Sequence, residues 1–202
     1  MEELLKAIEV DFDEAEGWIR IVDANWYADD LRITLSVKMH DDDYPQLWEV
    51  ECFGTIEEQL SSCGSESILL TENSPKLSPY NAERFDVFFS QNECNPAELL
   101  GVLTSICANV FGNITYLQRF LNLQPNVDGI VCATSGKLGS FPKPFVEALT
   151  LELKNHPIKL SVLSTGKPKK WNGKKFEYFP TFQSLEIGKN YIIACSYIAE
   201  RV

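Results

Sequence analysis

The sequence predicts an α+β fold: a single domain with a largely antiparallel sheet, in which an N-terminal three-stranded meander is covered by two or three helices. The first observation is a strict alternation of apolar and polar residues from Leu31 to Met39. A period of two places one row of side chains in a core and the other in water, as in a half-buried strand. The second observation is that two strand-like stretches, Trp18 to Asn25 and Leu47 to Phe53, flank it across short polar connections. Neighbouring strands joined in this way predict an antiparallel meander with one wet face.

The third observation is helical spacing of apolar residues in other segments. Residues 2–10 predict a short amphipathic helix. A long helix is predicted to begin after Asn95, which can cap it, and to end before Gly112, which suits a left-handed stop. We expect this long helix to lie across the meander. Shorter helices are predicted over residues 115–121 and 142–154.

We predict one domain over residues 1–202, with an acidic meander portion (1–60) and a mixed helix and strand portion (61–202). The second portion is expected to hold further strands near residues 67–70, 85–90, 158–163 and 191–198. Residues 54–62 are ambiguous between a loop and a helical turn.

Six scattered cysteines without a C-x-x-C pair are predicted to be reduced thiols. The N-terminus has no secretion-signal pattern and no apolar run is long enough for a membrane span, so a cytoplasmic location is expected.

The negative charge is concentrated in the first third of the chain. Residues 1–60 hold 17 of the 29 acidic residues and four of the 18 basic ones, a net charge of −13, and the remainder carries +2. Such a field favours basic partners and disfavours phosphate backbones and anionic lipid, although it also serves plain solubility. We therefore expect a basic protein partner, no nucleic acid and no membrane.

The candidate partner-binding residues are acids placed by the meander. If its strands alternate in direction, the start of the first, the end of the second and the start of the third lie at one end of the sheet. Acids also point outward from the third strand. The candidates are Asp13, Glu14, Asp41, Asp42, Asp43, Glu49 and Glu51.

The sequence bears on three further kinds of site: a metal site, a phosphate-binding loop and a catalytic histidine. No acidic segment matches a calcium-loop pattern, and we predict no metal and no cofactor. The glycine-containing stretch Ser135 to Ser140 precedes a helix but lacks phosphate-loop spacings, so it is interpreted as a structural loop. Neither histidine, His40 or His156, accompanies a nucleophile signature, and no catalytic residue is predicted.

The stretch Lys167 to Lys175 combines five lysines with Trp171 around an Asn-Gly turn. It could touch nucleic acid through stacking and phosphate contact. On a chain of net charge −11, however, the sequence favours a solvated turn, or a pairing with acidic surface on another copy of the chain, over a contact with nucleic acid.

Three short motifs carry a resemblance to a known family. They are Asn95-Pro-Ala-Glu-Leu99, Arg119-Phe-Leu-Asn122 and Ser196-Tyr-Ile-Ala-Glu-Arg201. Together they resemble a family of small bacterial proteins with no assigned activity, over the last half of the chain. The resemblance implies no catalytic residue.

The leading hypothesis is a non-enzymatic cytoplasmic binding protein for a basic protein partner, with an immunity-like inhibitor or an accessory protein as concrete forms. One alternative is a small metal-dependent or hydrolytic enzyme that uses the acidic end around His40. Another is a structural oligomer subunit that pairs through its C-terminal strand. The oligomeric state is left open by the sequence.

Overall fold

The computed structural model describes residues 1–12, 17–40, 43–122, 130 and 132–202. These residues group into two compact units. Unit 1 comprises Met1–Leu77 and Pro180–Val202, and unit 2 comprises Ser78–Phe179. The predicted charge boundary at residue 60 therefore falls inside unit 1.

The secondary structure is mixed, and the strands that pair do so antiparallel. The helices are α1 (Glu2–Asp11), α2 (Ser78–Asn81), α3 (Pro96–Phe111), α4 (Leu117–Phe120) and α5 (Lys143–Glu152), with 3₁₀ turns at Pro75–Leu77, Ile114–Tyr116 and Leu153–Asn155. The strands are β1 (Trp18–Tyr27), β2 (Asp30–Lys38), β3 (Gln46–Phe53), β4 (Glu57–Gln59), β5 (Ile68–Thr71), β6 (Arg84–Ser90), β7 (Gly136–Pro142), β8 (Lys159–Gly166), β9 (Lys169–Trp171), β10 (Phe176–Tyr178), β11 (Gln183–Ile187), β12 (Asn190–Ala194) and β13 (Ser196–Arg201). The α+β class and the N-terminal antiparallel meander are confirmed.

Unit 1 contains two four-stranded sheets, of order β1-β2-β3-β13 and β4-β12-β11-β5. The predicted alternation in β2 is confirmed, since Leu31, Ile33, Leu35 and Val37 are all fully buried. These side chains share one core with residues of β11 and β12 and with Leu4 of α1. The buried face of the meander is therefore covered by α1 and by the second sheet.

The two sheets of unit 1 are joined at a tight corner. The chain passes from β3 to β4 at Gly54 and from β12 to β13 at Cys195, and the Cys195 N–H donates to the Phe53 carbonyl oxygen at 2.9 Å. Gly54 has a φ of 61°, and a Cβ there would lie 2.9 Å from the Cys195 sulfur. Both the backbone conformation and the close approach require glycine. The predicted continuous strand over residues 191–198 is accordingly two strands that meet at Cys195.

Unit 2 is built on a three-stranded sheet of order β7-β6-β8. Its core includes stacked aromatic rings, with Phe141 and Phe145 centroids 4.4 Å apart. The predicted limits of α3 are confirmed: the Asn95 side chain accepts a hydrogen bond from the Ala97 N–H, and Gly112 is left-handed with a φ of 70°. The buried side chains of α3 belong to this core, so the expectation that α3 covers the meander is wrong. An apolar stripe predicts that a helix face is buried but does not specify which sheet buries it.

The stretch Ser135 to Ser140 is not the predicted loop, because β7 occupies most of it. Close packing explains one of its glycines: Gly139 pairs with Leu121, and a Cβ at Gly139 would lie 2.2 Å from the Phe120 carbonyl oxygen. The helix predicted over 115–121 is a 3₁₀ turn followed by α4, and its capping residue is Asn113. In the short apolar stretch over residues 129–133, residues 129 and 131 lie outside the described residues.

Within the described parts of the chain, no single helix has the length and apolar character needed to cross a membrane. Taken together, α3 and the helical residues 114–120 meet that criterion, but they are bent by 114°.

Candidate functional site

The strands of the meander bring two acidic stretches to one end of the first sheet of unit 1. Trp18 pairs with Lys38, and Val37 pairs with Gln46, so β1 begins, β2 ends and β3 begins at this end. The His40 N–H donates to the Asp11 carbonyl oxygen at 2.9 Å, which ties the end of α1 to the end of β2. The predicted convergence of strand ends is confirmed.

We name this region the acidic end and define it by the acids of residues 9–16 and 41–43: Glu9, Asp11, Asp13, Glu14, Glu16, Asp41, Asp42 and Asp43. Among the described members Glu9, Asp11 and Asp43 are exposed. The predicted site residues Asp13, Glu14, Asp41 and Asp42 lie outside the described residues, although their described neighbours on both sides are at this end.

The predicted site residues Glu49 and Glu51 lie on the outer face of β3, where both meet Arg32 of β2. The register places Arg32 directly opposite Glu51. The Arg32 guanidinium donates a short hydrogen bond to Glu51, and its other terminal nitrogen lies 3.8 Å from Glu49. The hydrogen bond and the charge of Glu51 raise the pKa of Arg32 above its usual value. Glu49 and Glu51 are therefore partly neutralised within the chain.

A third acid, Glu200 of β13, joins this group and was missed by the sequence reasoning. It lies directly opposite Glu49 across the β3–β13 pair. Like charges facing each other on neighbouring strands repel, and Arg32 alone does not balance three carboxylates. Arg32 and the three glutamates together therefore keep a local excess of negative charge. The signal for Glu200 is the strand register, which the sequence alone did not provide.

A small cavity of about 240 Å³ opens beside Arg32. It is lined by Tyr27, Asp30, Leu31, Arg32, Glu51 and Phe53. The exposed ring of Tyr27 lies 5.2 Å from the Arg32 guanidinium carbon, and Asp30 accepts a hydrogen bond from the Gly54 N–H at 2.7 Å. Carboxylates beside an aromatic face suit a cationic side chain, and here Arg32 already occupies part of that environment.

The two histidines lie in separate units. His40 is exposed next to the acidic end, whereas His156 lines a wider cavity of about 560 Å³ in unit 2, with Nδ1 3.7 Å from the Glu98 carboxylate. Gln91, which has a φ of 53°, lines the same cavity.

Within the described residues, no group of three His, Cys, Asp or Glu side chains is arranged to hold a metal ion.

The pKa shifts of two thiols, the buried Cys52 and the half-buried Cys94, run against nucleophilic activation. Burial raises the pKa of Cys52 to about 12, and burial together with the charge of Glu98 raises the pKa of Cys94. A nucleophilic cysteine needs the opposite shift, toward the thiolate. All six cysteines are free in the structure.

Comparison with protein-family models, with curated proteins and with solved structures gives no match. The resemblance to small bacterial proteins therefore stays a prediction.

The two units carry charge of opposite sign. Unit 1 holds 21 acidic and seven basic residues, a net charge of −14, whereas unit 2 holds eight acidic and 11 basic residues, a net charge of +3. The chain-wide value of −11 is thus the average of an acidic and a mildly basic unit.

Proposed function

We propose that this chain is a non-enzymatic cytoplasmic binding protein that attaches to a basic protein partner through the acidic end of unit 1. An immunity-like inhibitor is one concrete form of that activity. The observation that carries the proposal is the convergence of the two acidic stretches at paired strand ends, tied by the hydrogen bond from His40 to Asp11. The described acids Glu9, Asp11 and Asp43 belong to the two chain segments that converge there, and the sequence of those segments, residues 9–16 and 41–43, holds eight acids.

The outer face of the first sheet extends this surface. Glu49 and Glu51 both lie beside Arg32 there, and Glu200 lies opposite Glu49 on the neighbouring strand. A lysine or arginine from a partner would relieve the repulsion between Glu49 and Glu200. Because Glu49 and Glu51 are already paired with Arg32, we assign them a smaller share of the attraction than the acidic end.

The proposal predicts an association rate that depends on salt. The Debye length falls from about 30 Å at 0.01 M ionic strength to about 8 Å at 0.15 M, so an encounter steered by charge slows over that range. The partner is first captured from a host lysate at low salt and identified, and its association rate is then measured by stopped-flow fluorescence. We expect the triple reversal Asp41→Lys, Asp42→Lys and Asp43→Lys to slow association by about tenfold or more at low salt.

The matched control reverses two exposed acids of α5 in unit 2, Glu147→Lys and Glu152→Lys, and should change the rate far less. A captured protein that is itself acidic would contradict the proposal. So would an association rate that responds neither to salt nor to the triple reversal, because the acidic end would then serve solubility alone.

One observation favours the structural-oligomer alternative. β13 is the last strand in the order β1-β2-β3-β13, and edge strands offer unpaired backbone groups to a second chain. Ile198 and Val202 near this edge are exposed. The oligomeric state is measured by light scattering coupled to size-exclusion chromatography. If this alternative holds, the unsubstituted protein is a dimer and Ile198→Lys is a monomer. If it does not hold, both proteins are monomers.

A further inference from the structure

A two-stranded ribbon in unit 2 stands apart from the other sheets. β9 and β10 form a sheet of their own, joined by the turn over residues 172–175. The Asn172 side chain accepts hydrogen bonds from the Lys174 and Lys175 N–H groups at 2.9 Å each, and Gly173 has a φ of 96°. The turn chemistry predicted from Asn-Gly is confirmed. We name residues 167–178 the basic ribbon.

One face of the basic ribbon carries three exposed aromatic rings. Trp171 pairs with Phe176 and Lys169 pairs with Tyr178, so these four side chains share a face. Trp171, Phe176 and Tyr178 are 57%, 67% and 62% exposed. The Trp171 and Phe176 rings are 5.1 Å apart, and the Lys169 ammonium lies 4.8 Å from the Tyr178 ring. Adjacent aromatic rings left this exposed indicate a surface for a ligand.

The same ribbon is strongly basic. It holds five lysines and one acid, Glu177, which lies 3.3 Å from Lys175. The expectation of no nucleic-acid partner rested on the acidic first third of the chain, which belongs entirely to unit 1, whereas unit 2 is positive. A polyanion therefore meets a favourable local charge at the ribbon.

We propose that the basic ribbon binds single-stranded nucleic acid. Unpaired bases stack on the exposed rings of Trp171, Phe176 and Tyr178, and the lysines contact the phosphates. One ligand thus accounts for both the rings and the lysines. An acidic protein would account for the lysines but not for the three rings. The polar turn projects beyond the rings, which disfavours insertion of the ribbon into a bilayer.

The test uses the full chain and fluorescence anisotropy of labelled 15-nucleotide oligo-dT and oligo-U. We expect Trp171→Ala and Tyr178→Ala each to weaken binding by about 5- to 150-fold, the range measured for loss of one base-stacking ring. Phe176→Leu keeps an apolar side chain against Trp171 but removes a ring, so it separates stacking from loss of ribbon structure. It should also weaken binding.

The lysines are tested through salt. Each phosphate contact on a single strand contributes about −0.7 to the slope of log affinity against log salt concentration. The double change Lys169→Gln, on the face of the rings, and Lys174→Gln, in the turn, should therefore make that slope shallower by about 1.4. Matched controls are Lys143→Gln and Lys154→Gln, which are exposed in unit 2 outside the ribbon, and Tyr44→Ala, an exposed ring of unit 1. These controls should leave binding unchanged.

Four outcomes would overturn the proposal. They are absence of oligonucleotide binding at 50 mM salt, equal affinity for a duplex of the same length, binding that ignores all three aromatic changes, and binding of phosphatidylserine vesicles without binding of oligonucleotide. No residue of the ribbon belongs to the acidic end. If the ribbon does not bind oligonucleotide, the proposed binding of a basic protein by the acidic end is unaffected. If the acidic end binds no basic protein, the proposal for the ribbon is unaffected.

Discussion

Gly139 lies where two chain segments approach too closely for any side chain. A Cβ at this position would be 2.2 Å from the Phe120 carbonyl oxygen and 2.8 Å from two ring carbons of Phe141. The backbone oxygen belongs to α4, which packs into the core of unit 2, and the Phe141 ring is fully buried. Neither neighbour can move without disturbing that core.

We expect Gly139→Ala to lower the free energy of unfolding by about 1–3 kcal/mol, the usual cost of overpacking. The control is Gly101→Ala in α3, where a Cβ would meet nothing within 4 Å. That change should raise the free energy of unfolding by up to about 1 kcal/mol, because alanine is the better helix former. Urea titrations followed by circular dichroism measure both. Equal effects of the two changes would contradict the packing argument.

Glu186 of β11 is a partly buried carboxylate with three polar partners. It accepts hydrogen bonds from the hydroxyl groups of Ser74 and Ser184 and from the Lys76 ammonium, at 2.5, 3.2 and 2.9 Å. Burial acts to raise the pKa of Glu186, but the bonds from Ser74 and Lys76 outweigh it and hold that pKa below its usual 4.5. The charged form therefore stabilises the folded state.

Because the pKa of Glu186 is lower in the folded chain, its stabilisation is present above pH 4.5 and is lost as the pH falls through the folded value. We expect Glu186→Gln to lower the free energy of unfolding by about 1–3 kcal/mol at pH 7. The difference from the unsubstituted protein should shrink at pH 3.5, measured by urea titration at low protein concentration. Glu152→Gln, at an exposed position of α5, is the control and should show no such change. A Glu186→Gln effect of equal size at both pH values would contradict the charge argument.

At the scale of elements, α3 shows how local chemistry sets the limits of a helix. The Asn95 side chain satisfies the Ala97 N–H at 2.9 Å, and Pro96 occupies a position where no N–H is needed. At the other end, the Gly112 N–H donates to the Ala108 carbonyl oxygen. Each of these contacts lies within a few residues of sequence, which is why the limits of α3 were predictable.

We expect Asn95→Ala to lower the free energy of unfolding by about 1 kcal/mol, since the first turn of α3 loses its cap. Asn95→Asp keeps a capping oxygen and adds a negative charge at a helix N-terminus, so it should restore most of that loss. Thermal unfolding followed by circular dichroism compares the two. A loss as large for aspartate as for alanine would show that the capping oxygen is not what stabilises this end.

The same distinction between local and distant contacts explains which predictions succeeded. β2 was predicted because alternation is visible within nine residues, whereas β4 has only three residues, of which two are exposed, and gave no pattern. The position of α3 and the strand at Gly139 depend on segments far along the chain. In the candidate site, Glu49 and Glu51 were predicted as outward-facing acids, but their pairing with Arg32 and the approach of Glu200 required the register.

At the scale of the whole molecule, the charge is divided between the units. Unit 1 carries −14 and unit 2 carries +3. As pH falls from 7, protonation of carboxylates removes the net negative charge that keeps copies apart, while the lysines stay positive. Association between copies should therefore increase towards the isoelectric point of about 4.7.

We expect turbidity against pH to peak near pH 4.7 at low salt. The triple change Asp41→Asn, Asp42→Asn and Asp43→Asn removes three negative charges and should move that peak to higher pH. Glutamate at the same three positions keeps the charge and should leave the peak in place. A peak that stays fixed for the asparagine variant would mean that net charge does not govern association.

The order of the chain has a consequence for synthesis. Unit 2 lies entirely between the two parts of unit 1, so β11, β12 and β13 leave the ribosome only after all of unit 2 has been made. Unit 2 can complete its sheet while β4 lacks its partner β12 and β5 lacks its partner β11. At that stage β3 has only β2 beside it, because β13, whose Ser196 pairs with Phe53, has not been made. Pairings across such long separations form slowly, and an open strand edge invites association with other chains. The nascent chain is therefore most prone to misassemble in the interval between completion of unit 2 and emergence of β13.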